Sequence, residues 1–196
     1  MLGNFIADHI KGNKINYLPS DVIEGIILHR KIDFYTDTHS EVIKSKKRLY
    51  NKYHKYSGII IDIYYDHFLA KNWNKYSNIS LNLFTYYSYT ILLKNYTLLP
   101  KKTKEILPKL IINNWLSSYK NFSGLIKTFD LINKRTKFKI DFNNIIDDLI
   151  LDYDKYEQEF NTFFPEISNY IEIELNKLYP KTPKKNIIYQ NKKISK

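Results

Sequence analysis

The stretch Ser20-Asp-Val-Ile-Glu-Gly-Ile-Ile-Leu-His-Arg-Lys-Ile-Asp-Phe34 sets apolar residues at Val22, Ile23, Ile26 and Ile27. That is the three-and-four spacing of a helix and not the alternation of a strand. Ser20 follows Pro19 and is placed to cap it, so the pattern predicts a helix to about Phe34, with a turn over Tyr35 to His39. Working outward, the same period continues. Ser40 opens a helix through Tyr56, a third runs from about Ile59 to Tyr76 and buries Ile59, Ile63 and Ala70, and Ser80 caps a fourth through Tyr96. Pro100 and Pro108 bracket a short basic helix, Ile111 to Tyr119 form another, and Asn121 caps one holding Leu125, Phe129 and Ile132. Asp141 opens a last long helical region, interrupted near Pro165 because a proline ring removes one backbone hydrogen bond. With only 5 Gly and 6 Pro, the chain reads as all-α, a single-domain helical bundle over residues 1–179. Residues 180–196, rich in Lys with Pro180 and Pro183, read as a basic, flexible tail.

Composition narrows the function classes. The 196 residues suit one domain, and 43% hydrophobic content with 18 Tyr and 11 Phe supplies a real core. With no Cys, disulfide frameworks, thiolate metal sites and cysteine nucleophiles are excluded, so any metal must use His, Asp or Glu. No run approaches the roughly 20 apolar residues of a membrane span, and Asp8 and His9 interrupt any leader-like start, so the cytoplasm is the expected location. The net charge of +11 favours an anionic partner, although Lys, Asn, Ile and Tyr crowd the whole chain as codon bias toward A and T would produce.

The chemistry concentrates early. Of five His, three (His9, His29 and His67) lie in the first 67 residues beside or one turn from an Asp. His29 and Asp33 are four apart, so one helical face presents an imidazole and a carboxylate about 5–6 Å apart at Cβ, within reach of one cation. Asp37 extends that stripe, Asp62 and Asp66 repeat the spacing with His67 adjoining, and Asp8 adds a third segment. The plain alternative is a set of hydrogen-bonded pairs without metal. Apolar neighbours (Ile26, Ile27, Leu28, Ile32 and Phe34 around His29; Ile63, Phe68 and Leu69 around His67) make unpaired charge costly and favour coordination or tight pairing. Arg30 is a candidate for gripping a phosphate, while Trp73, Tyr64 and Tyr65 read as packing and His39 and His54 as surface residues.

Three blocks carry a resemblance: Gly3-Asn-Phe-Ile-Ala-Asp-His-Ile-Lys-Gly12, the segment Gly25 to Asp37, and the segment Asp62 to Trp73. In order and spacing they resemble the signature blocks of the acyl carrier protein phosphodiesterase family. The resemblance implies a helical fold related to the HD-type metal phosphohydrolases and hydrolysis of the phosphodiester joining 4′-phosphopantetheine to a serine of acyl carrier protein. It also implies Mn²⁺ (or Mg²⁺), with Asp8, His29, Asp33, Asp66 and His67 as the metal set and Arg30 and Asp37 close by; phosphodiester chemistry then gives Arg30 a phosphate oxygen to hold and Asp66 or Asp37 the proton of the attacking water. Family members commonly begin with an Asn-aromatic-Leu-Ala-His segment upstream of the Gly-Asn block, and Met1 here stands almost at that block, which implies a missing N-terminal segment.

An acidic carrier suits the positive charge, and Lys44, Lys47 and Arg48 are the expected docking residues, with no nucleic acid and no membrane in view. Two rival readings remain at this stage. One is an HD-type hydrolase of a guanosine polyphosphate or similar nucleotide; the other is a non-enzymatic basic helical binding module whose His and Asp are merely paired.

Overall fold

The computed structural model describes residues 1–12, 15–134 and 144–179. Within them every regular element is helical: α1 (Leu2–Ile6), α2 (Ser20–Thr38), α3 (Ser40–Tyr53), α4 (Ser57–Lys71), α5 (Trp73–Tyr76), α6 (Leu81–Lys94), α7 (Lys101–Ile112), α8 (Trp115–Ser118), α9 (Phe122–Asn133), α10 (Ile145–Leu151) and α11 (Tyr153–Leu178), with short 3₁₀ turns over Ala7–His9, His54–Tyr56 and Tyr96–Leu98. The all-α reading therefore holds. The expected tail over 180–196 and the helix start at Asp141 lie outside the described residues.

Two apolar clusters organise these helices. One gathers Val42 and Leu49 of α3, Ile60, Ile61, Tyr64 and Phe68 of α4, Phe129 of α9, Leu149 of α10 and Phe160 of α11. The other gathers Leu2 and Ile6 of α1, Val22 and Ile26 of α2, Leu92 of α6 and Leu107 of α7. Each fully buried aliphatic or aromatic side chain is worth about 1.5–3 kcal/mol, so both clusters are major stabilising units. Helix α2 joins them, since its first half packs in the second cluster while Ile32 and Tyr35 pack on the first. His29 and Asp33 sit along this joint. Helix α4 is apolar around most of its circumference, as suits a central helix, except for the exposed pair Asp62 and Asp66.

Several local expectations change. Helix α2 does not turn at Tyr35 but runs to Thr38, because Tyr35 stacks on Tyr170 of α11 at 4.5 Å and no Gly or Pro interrupts it. The stop comes at His39, whose Nδ1 accepts the Glu41 amide and caps α3; Ser40 does not. His39 is no surface residue either: its side chain is 8% exposed, pairs with Glu166 and packs edge-on to Phe163. Ser20 and Asn121 flank their helices without a side-chain cap bond, whereas the Ser80 hydroxyl caps α6 by accepting from the Leu83 amide. The third helix divides at Asn72, and Ile59 is exposed although Ile63 and Ala70 are buried. Pro108 and Pro165 lie inside continuous helices. A proline costs one backbone bond, and around Pro165 the burial of Phe160, Phe163 and Ile167 offsets that loss. Asn114, in a left-handed conformation with φ 42°, breaks the segment expected as one helix from Ile111 to Tyr119.

Candidate active site

Glycines position the site. Helix α1 crosses α2 so closely that a Cβ on Gly3 would lie 2.0 Å from the Val22 carbonyl oxygen, and one on Gly25 would lie 3.0 Å from the Gly3 Cα. No side chain fits between the two backbones. The contact brings Asn4 and Asp8 over the middle of α2, where His29 waits. Gly3→Ala is accordingly expected to destabilise the protein by about 2–3 kcal/mol, read as a lower urea midpoint, because a backbone carbonyl cannot step aside as a side chain could.

His29 is the centre of the constellation. Its Nδ1 lies 2.7 Å from Asn4 Oδ1, and its Nε2 lies 3.1 Å from both Asp8 Oδ1 and Asp33 Oδ2. Asn4 Oδ1 can only accept, so Nδ1 carries a proton and Nε2 is the atom turned to the carboxylates. One ligand atom from each of Asp8, His29 and Asp33 lies within 4.8 Å of the others, the only such His and carboxylate group among the described residues. The hydrogen bond that Asp8 accepts from His29 raises the His29 pKa, and the same bond lowers that of Asp8. Asp33 goes the other way, pushed up first by burial and further by the charges of Asp8 and Asp37, despite His29 beside it. The imidazole thus supplies positive charge between the two carboxylates it contacts.

Helix α4 carries two further carboxylates. Asp62 and Asp66 reach solvent yet are hemmed in by protein, and burial pushes their pKa values up to about 6 and about 7. Asp37, Asp33 and Asp8 add to the upward push on Asp62, with Lys46 opposing it, so the charges of the cluster are felt at this residue. Asp66 answers only to Asp62.

The structure thus brings together Asp8, His29 and Asp33 and leaves other expected site residues elsewhere. Asp66 lies a helical turn beyond Asp62 and outside the three-residue group. His67 is turned away: adjacent helical positions differ by about 100°, and its ring contacts the Tyr119 carbonyl oxygen at 2.8 Å and the Tyr153 hydroxyl at 2.8 Å. The expectation that α4 supplies Asp66 or His67 beside His29 gives way to Asp8 from the segment after α1. Asp37 is paired with Lys46 at 2.7 Å. Arg30 donates to the Gly12 carbonyl at 2.8 Å, tying down the loop that follows Asp8 in place of an open grip for phosphate. His9 bonds Thr103 at 2.7 Å.

Two contributors escaped the sequence reading. Asn4 stands next to Gly3 in the first block, and its spacing of four from Asp8 on a helical segment was the available signal. Lys46, which pairs with Asp37, is the other, and no local pattern marks it.

The expected docking residues also change. Arg48 is spent inside the fold: its guanidinium makes bonds of 3.0 and 2.6 Å to Glu159 and lies 4.6 Å over the Tyr156 ring. Lys44 lies 3.4 Å from Glu41 and 3.5 Å from Glu159, while Lys47 is exposed.

The all-helical scaffold thus presents one imidazole flanked by carboxylates from separate segments, a donor set with the ligand chemistry to hold a cation. The acyl carrier protein phosphodiesterase family model matches residues 1–167, and the chain belongs to that family. A protein of Photorhabdus laumondii named acyl carrier protein phosphodiesterase is 30% identical over 166 residues, 84% of each chain. Proteins of the same name from Salmonella agona and Salmonella dublin are each 28% identical over 167 residues, covering 84% of this chain and 86% of theirs. No solved structure matches significantly. Among the described residues no helix is long and apolar enough to cross a membrane.

Proposed function

We propose that the protein hydrolyses the phosphodiester between 4′-phosphopantetheine and the serine of acyl carrier protein, giving apo carrier, with Asp8, His29 and Asp33 holding a divalent cation. The convergence of these three side chains from two segments of the chain carries the reading. Mixed imidazole and carboxylate donors suit Mn²⁺ or Mg²⁺ better than a soft metal. Such an ion supplies positive charge to the phosphate and makes water more acidic.

The protein's own groups account for the rest. Asn4 fixes the ring of His29 so that Nε2 faces the reaction space, as outer partners of metal-bound imidazoles do. Asp62, with a pKa raised to about 6 beside the cluster, is suited to accept the proton of the attacking water near neutral pH. The serine-side oxygen then leaves with the proton returned to it. The HD-type relationship and a cytoplasmic setting belong to this same reading, as does an acidic carrier attracted by the net charge of +11.

Mass spectrometry of holo carrier tests the proposal. With Mn²⁺ the carrier is expected to lose the mass of 4′-phosphopantetheine; EDTA should stop the loss and added Mn²⁺ should restore it. An intact holo carrier after incubation with metal-loaded protein, or the same rate in EDTA, would overturn it. Turnover of a guanosine polyphosphate in its place would move the assignment to a nucleotide.

A further inference from the structure

His67 leads to a second site. It is only 3% exposed, burial holds its pKa down, and so the ring is neutral. The Tyr119 carbonyl can only accept, which places the proton on Nδ1 and makes Nε2 the acceptor of the Tyr153 hydroxyl proton. The Tyr153 oxygen in turn accepts from Lys71 Nζ at 2.9 Å, with that ammonium 4.6 Å from the ring centre. A buried neutral histidine thus anchors a tyrosine that holds a lysine in place. The chain of bonds ends at the floor of a recess of about 540 Å³ lined by His67, Lys71, Lys120, Phe122, Ile150 and Tyr153, together with Asn121.

A neighbouring recess of about 290 Å³ shares Lys71 and Lys120 and adds only neutral residues. Neither lining contains a carboxylate. Lys71 has Glu157 only at 3.8 Å, and the exposed Lys120 forms no ion pair among the described residues. Glu157 and Asp154 add negative charge near Lys71, so Lys120 is the less neutralised of the two ammonium groups that the recess joins to an apolar wall of Phe122, Ile150 and Tyr153. Lysines are point-charge binders of phosphate, and the charge of two such groups is balanced better by a phosphate monoester, which carries about −1.5 to −2 at pH 7, than by a carboxylate ligand with a single charge.

We propose that this recess binds an organic phosphate monoester, its phosphate between Lys71 and Lys120 and its apolar body on Phe122, Ile150 and Tyr153. It stands apart from the Asp8, His29 and Asp33 group, since His67 and Lys71 point from a different face of α4 than Asp62, and it does not depend on the reaction proposed above. The source of the phosphate is a product of this protein's own reaction or another small metabolite, and the probes separate them.

Calorimetric titration of the full chain in EDTA with n-hexyl phosphate, hexanoate, inorganic phosphate and 4′-phosphopantetheine provides the test. Hexyl phosphate is expected to bind about tenfold or more tighter than inorganic phosphate, through its apolar body, and tighter than hexanoate, through its second charge. Lys120→Ala, a change at an exposed side chain that leaves the fold alone, should weaken binding about fivefold to tenfold, and Lys71→Met similarly, while Lys47→Ala should change nothing. Stronger binding of 4′-phosphopantetheine than of hexyl phosphate assigns the recess to the product; weaker binding with hexyl phosphate retained assigns it to another phosphate. Equal affinity of wild type and Lys120→Ala, an equal loss in Lys47→Ala, or no preference for hexyl phosphate over inorganic phosphate would overturn the proposal.

Discussion

His29→Ala is expected to lower the metal-dependent release of 4′-phosphopantetheine by roughly 10³-fold or more, since it removes the one nitrogen donor and the charge placement that depends on it. Asp33→Asn should cost a similar amount. The two variants part company in stability, which makes the pair more informative than either alone. His29 lies 3.1 Å from both Asp8 and Asp33, and its raised pKa marks it as their counterion. Removing it leaves two facing carboxylates, so His29→Ala should melt lower without metal. Asp33 is pushed upward by burial and by Asp8 and Asp37, so neutralising it relieves a repulsion and should leave the melting point unchanged or raise it. Asn4→Ala tests the support beneath, with an expected loss of about 10–100-fold in activity or metal affinity. Full turnover by His29→Ala, read by mass spectrometry of the carrier, would remove the metal assignment.

The contrast between His29 and His67 shows what was legible. A helical period fixes which residues of one helix share a face, so the pairing of His29 with Asp33 could be read directly. It does not say which second segment comes across that face. Here the answer lies in two glycines, Gly3 and Gly25, whose backbones touch and deliver Asp8 and Asn4. A glycine in sequence has no label for contact as opposed to a turn. His67 misled for the opposite reason: its neighbour Asp66 lies one turn from Asp62, but one residue along a helix is a different direction, and the partners Tyr119 and Tyr153 are 52 and 86 residues distant. Helix boundaries failed where packing overrode local signals, as at Pro165 and Tyr35. The caps at Ser20 and Ser40 failed because a cap depends on a side-chain rotamer as well as a residue type.

Arg48→Ala is expected to unfold the protein at lower denaturant by about 3–5 kcal/mol while leaving any docking effect on KM secondary, the reverse of what a surface docking residue would do. The reason is Glu159, 2% exposed, which receives both arms of the guanidinium and the Ser45 hydroxyl, with Asp152 3.5 Å from Arg48 Nε. Burial pushes the Glu159 pKa up, but Arg48 and Ser45 outweigh it and hold the group below its ordinary value. A carboxyl whose folded pKa is depressed contributes stability above its unfolded pKa and loses it as pH falls through the folded value. Wild type should therefore keep this contribution at pH 7 and shed it in acid below about pH 4. In Arg48→Ala the sign inverts: burial without the guanidinium raises the Glu159 pKa, the charged form is penalised at neutral pH, and protonation relieves it as pH falls. The stability gap between the two proteins should be widest near pH 7 and narrow toward pH 4. A gap that is small at pH 7, or constant across that range, would show that Arg48 and Glu159 are not the coupled buried pair seen here, and would return Arg48 to the surface.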